Sequence, residues 1–415
     1  MTQPPIVRFL DRSTPPHIVT LVLLAGISAL SMNIFLPSLP NMTAHFDTEY
    51  RLMQLSVALY LAVNAVLQLA IGPISDRYGR RPVLLVSIAL FMLATLGCIF
   101  APSAGVFLAF RMAQAVIVTG MVLSRAVVRD MVPDAQAASM IGYVTMGMAL
   151  VPMLGPAVGG VLDQVFGWQA SFAMLFLCGA LVLALTWADL GETAAPREVS
   201  LVGQFREYPE LFRSRRFWGY ALAASFASGA FFAYLGGAPF VGSEVLGLPP
   251  AALGLYFGLV ALGYMGGNYL SGRFSVRVGI NGMILRGTLV ACLGPALSML
   301  LFGLGIGHPL AFFGAMVLVG LGNGMTLPNA TAGMLSVRPH LAGTASGLGG
   351  AIMIGGGAGL SALAGALLVP GTGPWPLLAI MLATSVLAVL SVQYVQRIDR
   401  LEGPLATRPP RPPHG

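Results

Sequence analysis

Long apolar stretches separated by short polar connections recur along the whole chain. A helix that crosses a bilayer needs about 20 mostly apolar residues. The pattern predicts such helices over twelve segments: 18–39, 53–71, 82–101, 104–127, 137–161, 169–188, 218–241, 251–271, 281–303, 309–328, 341–369 and 374–394. The predicted fold class is therefore an all-α membrane protein with twelve transmembrane helices.

One polar connection divides the twelve segments into two groups of six. This connection, 189–217, carries five of the fifteen acidic residues and five arginines. A proline-rich, nearly apolar-free ending predicts that the last residues are disordered. The predicted organisation is a cytoplasmic N-terminal segment over 1–17, a six-helix half over 18–188, a cytoplasmic central loop over 189–217, a second six-helix half over 218–394, and a disordered cytoplasmic tail over 395–415.

The composition agrees with a membrane protein and excludes several other classes. Hydrophobic residues make up 56% of the chain and charged residues only 9%, which is too few ions to cover a soluble surface. The net charge of +7 does not predict nucleic-acid binding, because all 22 basic residues are arginines scattered among short connections. Most of these arginines fall on one side of the predicted membrane, which places both termini in the cytoplasm.

No pattern typical of enzymatic chemistry is found. The three cysteines, Cys98, Cys178 and Cys292, lie in apolar segments without metal-ligand spacing. The chain has no phosphate-binding loop, and its histidines are far apart in sequence. We therefore expect no enzymatic activity, no metal site and no cofactor.

A charged connection lies between the second and third segments. Gly72–Arg81 reads GPISDRYGRR and predicts a tight turn at a membrane face, because ions and unpaired backbone groups are costly within lipid. The spacing resembles the signature loop of the major facilitator superfamily of secondary transporters, with matches at Gly72, Asp76, Arg77, Gly79, Arg80 and Arg81. A weaker glycine-and-arginine echo, Gly267–Gly279, follows the eighth segment.

The resemblance implies a gate at this loop. Asp76, an arginine such as Arg125 or Arg129, and the positive N-terminal end of the eleventh segment would together hold the cytoplasmic ends of the two halves shut.

Arg111 lies well inside the fourth apolar segment, with Gln114 three residues later on the same helix face. A cation at this depth is expensive unless it faces the protein interior, which makes it a functional candidate. The string RMAQ resembles the R-x-x-Q motif of the same superfamily, where the arginine is associated with proton coupling. The alternative is that Arg111 only holds helices together through backbone carbonyls.

Small residues cluster in the fifth segment at Gly155, Pro156, Gly159 and Gly160. Glycines at this spacing let helix backbones approach closely, and proline permits a bend. The G-P-x-x-G-G string resembles the motif of the drug:proton antiporter branch, which implies a flexing helix; plain helix packing is the alternative.

Further strings resemble the Bcr/CflA multidrug efflux family of bacteria: Asn33–Pro40, Val127–Asp130, Gly167–Ala170 and Ala342–Gly347. Members of this family usually carry an aspartate where this chain has Asn33. The absence of a carboxylate in the first segment favours neutral polar substrates over cations, because an amide both donates and accepts hydrogen bonds. Candidate residues of a substrate cavity between the halves are Asn33, Tyr60, Asn64, Gln68, Phe232, Tyr234, Tyr256 and Asn323; alternatively, each of them only joins neighbouring helices.

The sequence therefore predicts a proton-coupled exporter of small amphipathic drugs or antibiotics in the bacterial inner membrane. Its expected partners are a small-molecule substrate, protons and the lipid bilayer, with no nucleic acid, and we expect a monomer. One alternative is an exporter or facilitator of a small metabolite, such as an amino acid, with weak or no proton coupling. A membrane sensor or channel is less favoured, because the central loop and tails are short.

Overall fold

The computed structural model describes residues 7–131, 151, 154–193, 208–338 and 341–403. Within these ranges all regular structure is helical, and eleven helices are long and apolar enough to cross a membrane. They coincide with eleven of the twelve predicted segments. The remaining segment, the fifth, begins outside the described residues and continues as a helix over 154–166.

The first half contains five of these helices and the helix over 154–166. They are α1 (Ile18–His45), α2 (Tyr50–Tyr78), α3 (Arg80–Ile99), α4 (Ala104–Val128), α5 (154–166) and α6 (Gln169–Asp189). The helical residues that begin at Val118 in α4 continue to Met131. The predicted N-terminal segment packs on the end of α6 and is described from residue 7 onward.

The second half repeats this arrangement. Its helices are α7 (Arg215–Val245), α8 (Pro250–Val278), α9 (Ile280–Gly303), α10 (Leu310–Val337), α11 (Ala342–Leu367) and α12 (Trp375–Glu402). A short helix, Tyr208–Phe212, precedes α7, and the rest of the predicted central loop up to residue 207 lies mostly outside the described residues. Residues 404–415, the end of the predicted tail, also lie outside them.

The connection between α2 and α3 is shorter than the predicted turn over Gly72–Arg81. Helix α2 continues through the charged residues to Tyr78, and Gly79 is the single residue between the two helices. Continued helix satisfies the backbone groups internally, while the charged side chains reach the polar membrane boundary. Gly79 adopts φ +92° and ψ 151°, a conformation that is essentially restricted to glycine.

The connection between α8 and α9 repeats this geometry. Helices α2 and α8 each have 29 residues, beginning at residues 50 and 250 and ending at 78 and 278. Gly279 follows α8 with φ +80° and ψ 155°. The glycine-and-arginine echo in the sequence therefore corresponds to a repeated helix, joint and helix. We call the end of the bundle that carries these two joints the arginine-rich end.

The two halves are closely packed at the opposite end of the bundle. A Cβ added at Gly160 in α5 would lie 2.2 Å from the carbonyl oxygen of Pro250 in α8, and one at Gly254 would lie 2.2 Å from that of Pro156. Reciprocal glycines thus let the two backbones touch. The Tyr50 hydroxyl donates to Gly236 O at 2.8 Å, and Gln54 Nε2 donates to Ser361 O at 2.6 Å. We call this set of contacts the seal.

Several spans contain local breaks in the α-helix. A 3₁₀ turn, Leu36–Ser38, interrupts α1 beside Pro37, and another, Gln114–Ile117, interrupts α4. Five-residue π-helical stretches end α7 (Val241–Val245) and begin α10 (Leu310–Gly314). Such breaks are frequent at functional positions in helices. The break in α4 begins at Gln114, three residues after Arg111.

Candidate functional site

An ion-pair network joins three helix ends at the arginine-rich end. Arg80 Nη1 lies 2.5 Å from Asp76 Oδ1, and Arg80 Nε lies 3.2 Å from Asp130 Oδ2. The Arg80 guanidinium also donates to the Ser75 hydroxyl. Asp76 lies near the end of α2, Arg80 begins α3, and Asp130 lies near the end of the helix that continues α4. This single guanidinium therefore holds α2, α3 and α4 together.

A second acidic residue, Glu192, caps the start of α3. Its carboxylate accepts hydrogen bonds from the backbone N–H groups of Arg80 at 2.8 Å and Arg81 at 3.2 Å. An anion is favourable here, because the first N–H groups of a helix have no partner within it. Arg81 Nε in turn donates to Leu190 O at 2.8 Å. The segment that follows α6 is thereby fastened to the α2–α3 joint.

The other residues of the predicted gate lie apart from Asp76. The Arg77 guanidinium lies over the Tyr78 ring, 5.4 Å from its centre, and a Cβ at Gly72 would meet open space. Arg125 is half-buried in α4 and lies near Tyr264 of α8, in the other half. The side chain of Arg129 lies outside the described part of the chain. The structure thus pairs Asp76 with Arg80 and directs Arg125 towards the second half.

Arg111 is almost completely buried, with 1% of its surface exposed. Its Nη1 donates to Gln114 Oε1 at 2.8 Å and to Ser31 Oγ at 3.2 Å, and its Nη2 donates to Ser31 O at 2.8 Å. Gln114 Nε2 donates onward to Thr95 Oγ1 at 2.7 Å. Arg111 and Gln114 therefore share one polar network, which links α4 to α1 and α3.

Aromatic rings complete the environment of Arg111. The guanidinium carbon lies 4.0 Å from the centre of the Tyr60 ring and 4.4 Å from that of Phe35. Such stacking stabilises a desolvated cation by about 2 kcal/mol. All polar contacts of Arg111 with described residues are to neutral groups, and its Nε has no hydrogen-bond partner among them. The side chain is thus a buried cation that contacts no carboxylate in the described part of the chain.

The second half has an aromatic cluster where the first half has Arg111. Tyr234 of α7 lies 5.0 Å from Phe257 of α8 and 6.2 Å from Phe312 of α10, measured between ring centres. Tyr256 stacks on Phe313 at 5.4 Å. The Tyr234 hydroxyl is buried and has no hydrogen-bond partner among the described residues. These three helices are the counterparts of α1, α2 and α4, which meet at Arg111.

The predicted cavity residues are distributed over several environments. Tyr60 belongs to the Arg111 cluster, and Asn64 Oδ1 accepts from Gln68 Nε2 at 2.9 Å within α2. Phe232 packs against Gly357 of α11. Asn33 and Asn323 are buried, and each has an amide oxygen without a hydrogen-bond partner in the described ranges. Three predicted cavity residues therefore carry unsatisfied polar atoms: Asn33, Tyr234 and Asn323.

The small residues of α5 contact both halves of the protein. A Cβ at Gly159 would lie 1.7 Å from Ile34 O, and one at Gly155 would lie 3.8 Å from the Asn33 Cβ, both in α1. Gly160 and Pro156 face α8, as described for the seal. This stretch of α5 is therefore positioned between α1 and the second half, at the height of the seal.

Sequence reasoning missed two buried carboxylates near the ends of helices. Asp163 accepts a hydrogen bond from Asn41 Nδ2 at 2.8 Å, and Asp189 accepts three from the N-terminal region. Both residues were assigned to connections between apolar segments. A helical signal for Asp163 was available, because it follows Gly155 and Gly159 at four-residue intervals and so shares the face that packs on α1. Ser31 and Thr95, the partners of Arg111 and Gln114, gave no comparable signal.

Two six-helix halves, a seal between them and buried polar groups on both sides define a membrane transporter. Comparison with known proteins identifies the family: the model of the Major Facilitator Superfamily matches residues 21–362, and the chain belongs to this family. Its members transport small molecules across membranes, and this chain is a multi-pass membrane protein of that type.

Individual relatives extend over most of the chain. Multidrug resistance protein D of Escherichia coli (strain K12) is 31% identical over 389 residues, which cover 90% of this chain and 94% of the relative. The chloramphenicol resistance protein of Pseudomonas aeruginosa is 30% identical over 383 residues, which cover 91% of this chain and 90% of the relative. A crystal structure of the peptide transporter POT in complex with sulfate shares the fold, with a TM-score of 0.77 and 15% identity. The match covers 94% of this chain and 96% of the transporter. The predicted family and fold class are thus confirmed.

Proposed function

We propose that this protein exports small amphipathic molecules, such as drugs or antibiotics, across the bacterial inner membrane in exchange for protons. Transport would proceed by alternating access, in which the two halves rock about a central binding site. The names of relatives that match nearly the whole chain, for chloramphenicol and multidrug resistance, support the substrate class. A monomer is sufficient for this mechanism, because both halves belong to one chain.

The seal is the observation that carries this proposal. It consists of glycine-mediated backbone contacts and a few hydrogen bonds, such as the one from Gln54 to Ser361. The ion pairs Arg80–Asp76, Arg80–Asp130 and Arg216–Asp399 each lie within one half. The glycine contacts and hydrogen bonds of the seal are easily broken and remade. The two halves can therefore separate at this end without breaking any of these ion pairs.

The arginine-rich end would face the cytoplasm, and the seal would face the periplasm. The arginines of the α2–α3 joint, and Arg273 and Arg277 near the end of α8, lie at the former end. The positive-inside rule assigns that end, together with both termini, to the cytoplasm. In this orientation the seal closes the route to the outside, and a substrate would enter from the cytoplasm.

The Arg80 network would act as the cytoplasmic gate of the first half. Arg80 ties Asp76 of α2 to Asp130 after α4, and Glu192 fixes the start of α3. The cytoplasmic ends of these helices would then move as one body when the halves rock. Arg125, which approaches Tyr264 of α8, is positioned to sense the distance between the halves on this side.

The unsatisfied polar atoms suggest the chemistry of the substrate. Asn33 Oδ1 and Asn323 Oδ1 are buried acceptors, and the Tyr234 hydroxyl can donate or accept. A buried polar atom without a partner costs about 1–3 kcal/mol, which a ligand that pairs with it recovers. Neutral molecules that carry N–H or O–H donors on an aromatic or aliphatic body would fit both these groups and the ring cluster of the second half.

Purified protein in proteoliposomes provides the test. With a pH gradient imposed, addition of an amphenicol-type compound should produce a proton flux and compound movement in opposite directions. The variant Asp76→Asn, which should fold and insert normally, serves as the matched control and should lose both signals. Absence of any compound movement by the wild-type protein would contradict export of this substrate class.

A second function is favoured by one observation. Helix α1 carries Asn33 rather than a carboxylate, so this helix offers no acidic side chain that could bind the transported proton. Movement of a compound without proton flux in the same experiment would support a facilitator or exporter of a small metabolite, such as an amino acid.

A further inference from the structure

Proton exchange needs a group that can bind and release a proton, and the chain offers few such groups in buried positions. Arg111 keeps its proton at all physiological pH values. Of the fifteen acidic residues, two in the described part of the chain are fully buried: Asp163, with 5% of its surface exposed, and Asp189, with none. These two carboxylates have different partners.

Asp189 fastens the N-terminal region to the end of α6. Its carboxylate accepts hydrogen bonds from the backbone N–H groups of Leu10 at 2.7 Å and His17 at 2.8 Å, and from the Thr20 hydroxyl at 2.6 Å. These three contacts give Asp189 a structural role within the first half.

Asp163 is held less firmly. In the described part of the chain its side chain accepts one hydrogen bond, from Asn41 Nδ2 at 2.8 Å. Asp163 also occupies the last turn of α5, which ends at residue 166, where the helix carries a partial negative charge that disfavours an anion. Burial and this dipole make a proton easier to bind, and no salt bridge joins Asp163 to a cation in the described part of the chain.

Several titratable groups lie on the elements around Asp163. The elements at this end of the bundle are α1, the start of α2, the end of α7 and the start of α8. Their titratable or charged side chains are His45, Asp47, Glu49, Tyr50, Arg51 and Glu244. His45 packs on Trp168, and Arg51 pairs with Glu49, so the groups nearest in sequence to Asn41 have other partners.

Asp163 lies where a change of charge can reach the seal. Asn41 and Ser38 belong to the end of α1, whose 3₁₀ turn, Leu36–Ser38, contacts both α7 and α8. On its own helix, Asp163 is three residues from Gly160, which touches Pro250 of α8. Hydrogen bonds to a carboxylate are about twice as strong as those to a neutral acceptor. The ionised residue therefore fastens α1 to α5 beside the contact between the halves.

We propose that Asp163 is the proton-binding site that controls the seal. A proton from water at this end adds to a carboxylate oxygen of Asp163 and gives a neutral acid, and no other bond is broken. The weakened hydrogen bond with Asn41 releases the end of α1 from α5, and the seal opens. Loss of the proton to the same water restores the closed seal. This inference rests on the proposed alternating-access function and makes the closed state of the seal dependent on pH.

The test measures opening of the seal directly and needs no substrate. Spin labels at Phe166→Cys in α5 and Leu255→Cys in α8, which are 74% and 65% exposed, would report the distance between the halves at this end. The three native cysteines would be replaced by alanine. In liposomes with the same pH on both sides, the longer distance should become more populated as the pH falls.

Variants of Asp163 then assign the effect. Asp163→Asn should show the longer distance at every pH, whereas Asp163→Glu should keep the pH dependence. Asn41→Ala, which removes the donor that fastens α1 to Asp163, should likewise favour the longer distance at every pH. The inference is overturned if the wild-type distances do not respond to pH, if Asp163→Asn keeps the wild-type response, or if His45→Gln abolishes that response. Failure of export itself would leave these distances measurable, so the two proposals fail separately.

Discussion

The two halves share one backbone plan but hold their helices together with different chemistry. Helices α2 and α8 have equal length and end in glycines of the same conformation. In the first half, α1, α2 and α4 meet at a buried arginine with hydrogen-bond acceptors around it. In the second, α7, α8 and α10 meet at stacked rings around Tyr234.

This difference indicates a division of labour. A buried guanidinium demands fixed acceptors in fixed directions, so the first half is organised by directional contacts. Aromatic rings pack through large apolar surfaces with looser geometry, so the second half can adapt to ligands of different shape. We interpret the first half as the side that handles charge and the second as the side that accommodates the substrate body. Four predictions test this interpretation.

The largest effect is expected from Arg111. Arg111→Met should abolish transport, because Ser31 O and Gln114 Oε1 lose their donors and the helices around them lose their fixed positions. Arg111→Lys should also fail, since an ammonium cannot reproduce the planar fork of donors. Transport in proteoliposomes is the measurement, with protein yield and thermal stability as controls. Normal transport by the lysine variant would mean that the charge alone is sufficient.

The acidic residues at the ends of α6 and α12 form the next comparison. Asp189 accepts three hydrogen bonds, while Asp399 accepts one from Asn281 at 2.6 Å and lies 3.1 Å from Arg216 Nε. Asp189→Ala should lower the free energy of unfolding by roughly 3–6 kcal/mol, because three donors lose their acceptor and each unpaired donor costs about 1–3 kcal/mol, less for the two partly buried N–H groups. Asp399→Ala should cost about 3–5 kcal/mol, because it leaves the buried Arg216 without its carboxylate. Thermal unfolding in detergent measures both losses, and unchanged stability of Asp189→Ala would contradict the structural role of Asp189.

The twin glycine joints differ only in their neighbours. A Cβ at Gly79 would lie 2.4 Å from Glu192 Oε2, whereas one at Gly279 would meet nothing within 4 Å. Gly279→Ala should therefore cost only backbone strain, about 1–3 kcal/mol. Gly79→Ala should cost more, and the excess should disappear when Glu192→Ala is added. An unchanged excess in that double variant, measured by the same unfolding experiment, would separate Gly79 from the Glu192 cap.

The smallest effect is expected from Tyr234→Phe. Removing a buried hydroxyl that has no partner in the described ranges should leave stability unchanged or raise it by about 1 kcal/mol. Substrate binding should weaken by a similar amount if the hydroxyl pairs with the ligand. Binding titrations with wild-type and variant protein measure this difference. A clear loss of stability would instead reveal a structural partner for the hydroxyl.

Hydropathy was sufficient to predict the helices but not their ends. The twelve segments follow from apolar length, because lipid admits few alternatives to a helix. The extension of α2 from residue 71 to Tyr78 was missed, since charged residues were taken to end the helix when they only marked its exit from the membrane. The cap that Glu192 places on the start of α3 was not predictable, because Glu192 lies more than a hundred residues from Arg80.

The candidate site was predictable where local spacing determines geometry. Gln114 could be placed beside Arg111, because three residues separate them on one helix. The acceptor Ser31 and the ring of Phe35 could not, because their approach depends on how α1 crosses α4. Asp163 was placed in a connection between helices. Its hydrogen bond with Asn41, 122 residues earlier in the chain, depends on how α5 packs against α1.

The contacts of Asp189 also constrain how the protein is made. Leu10, His17 and Thr20 leave the ribosome long before Asp189, which is the last residue of α6. The N-terminal segment therefore has no partner until the entire first half has been synthesised, and its docking marks the completion of that half. An N-terminal fusion that prevents docking would interfere with biogenesis, leaving the first half without its final fastening while the second half is still being inserted.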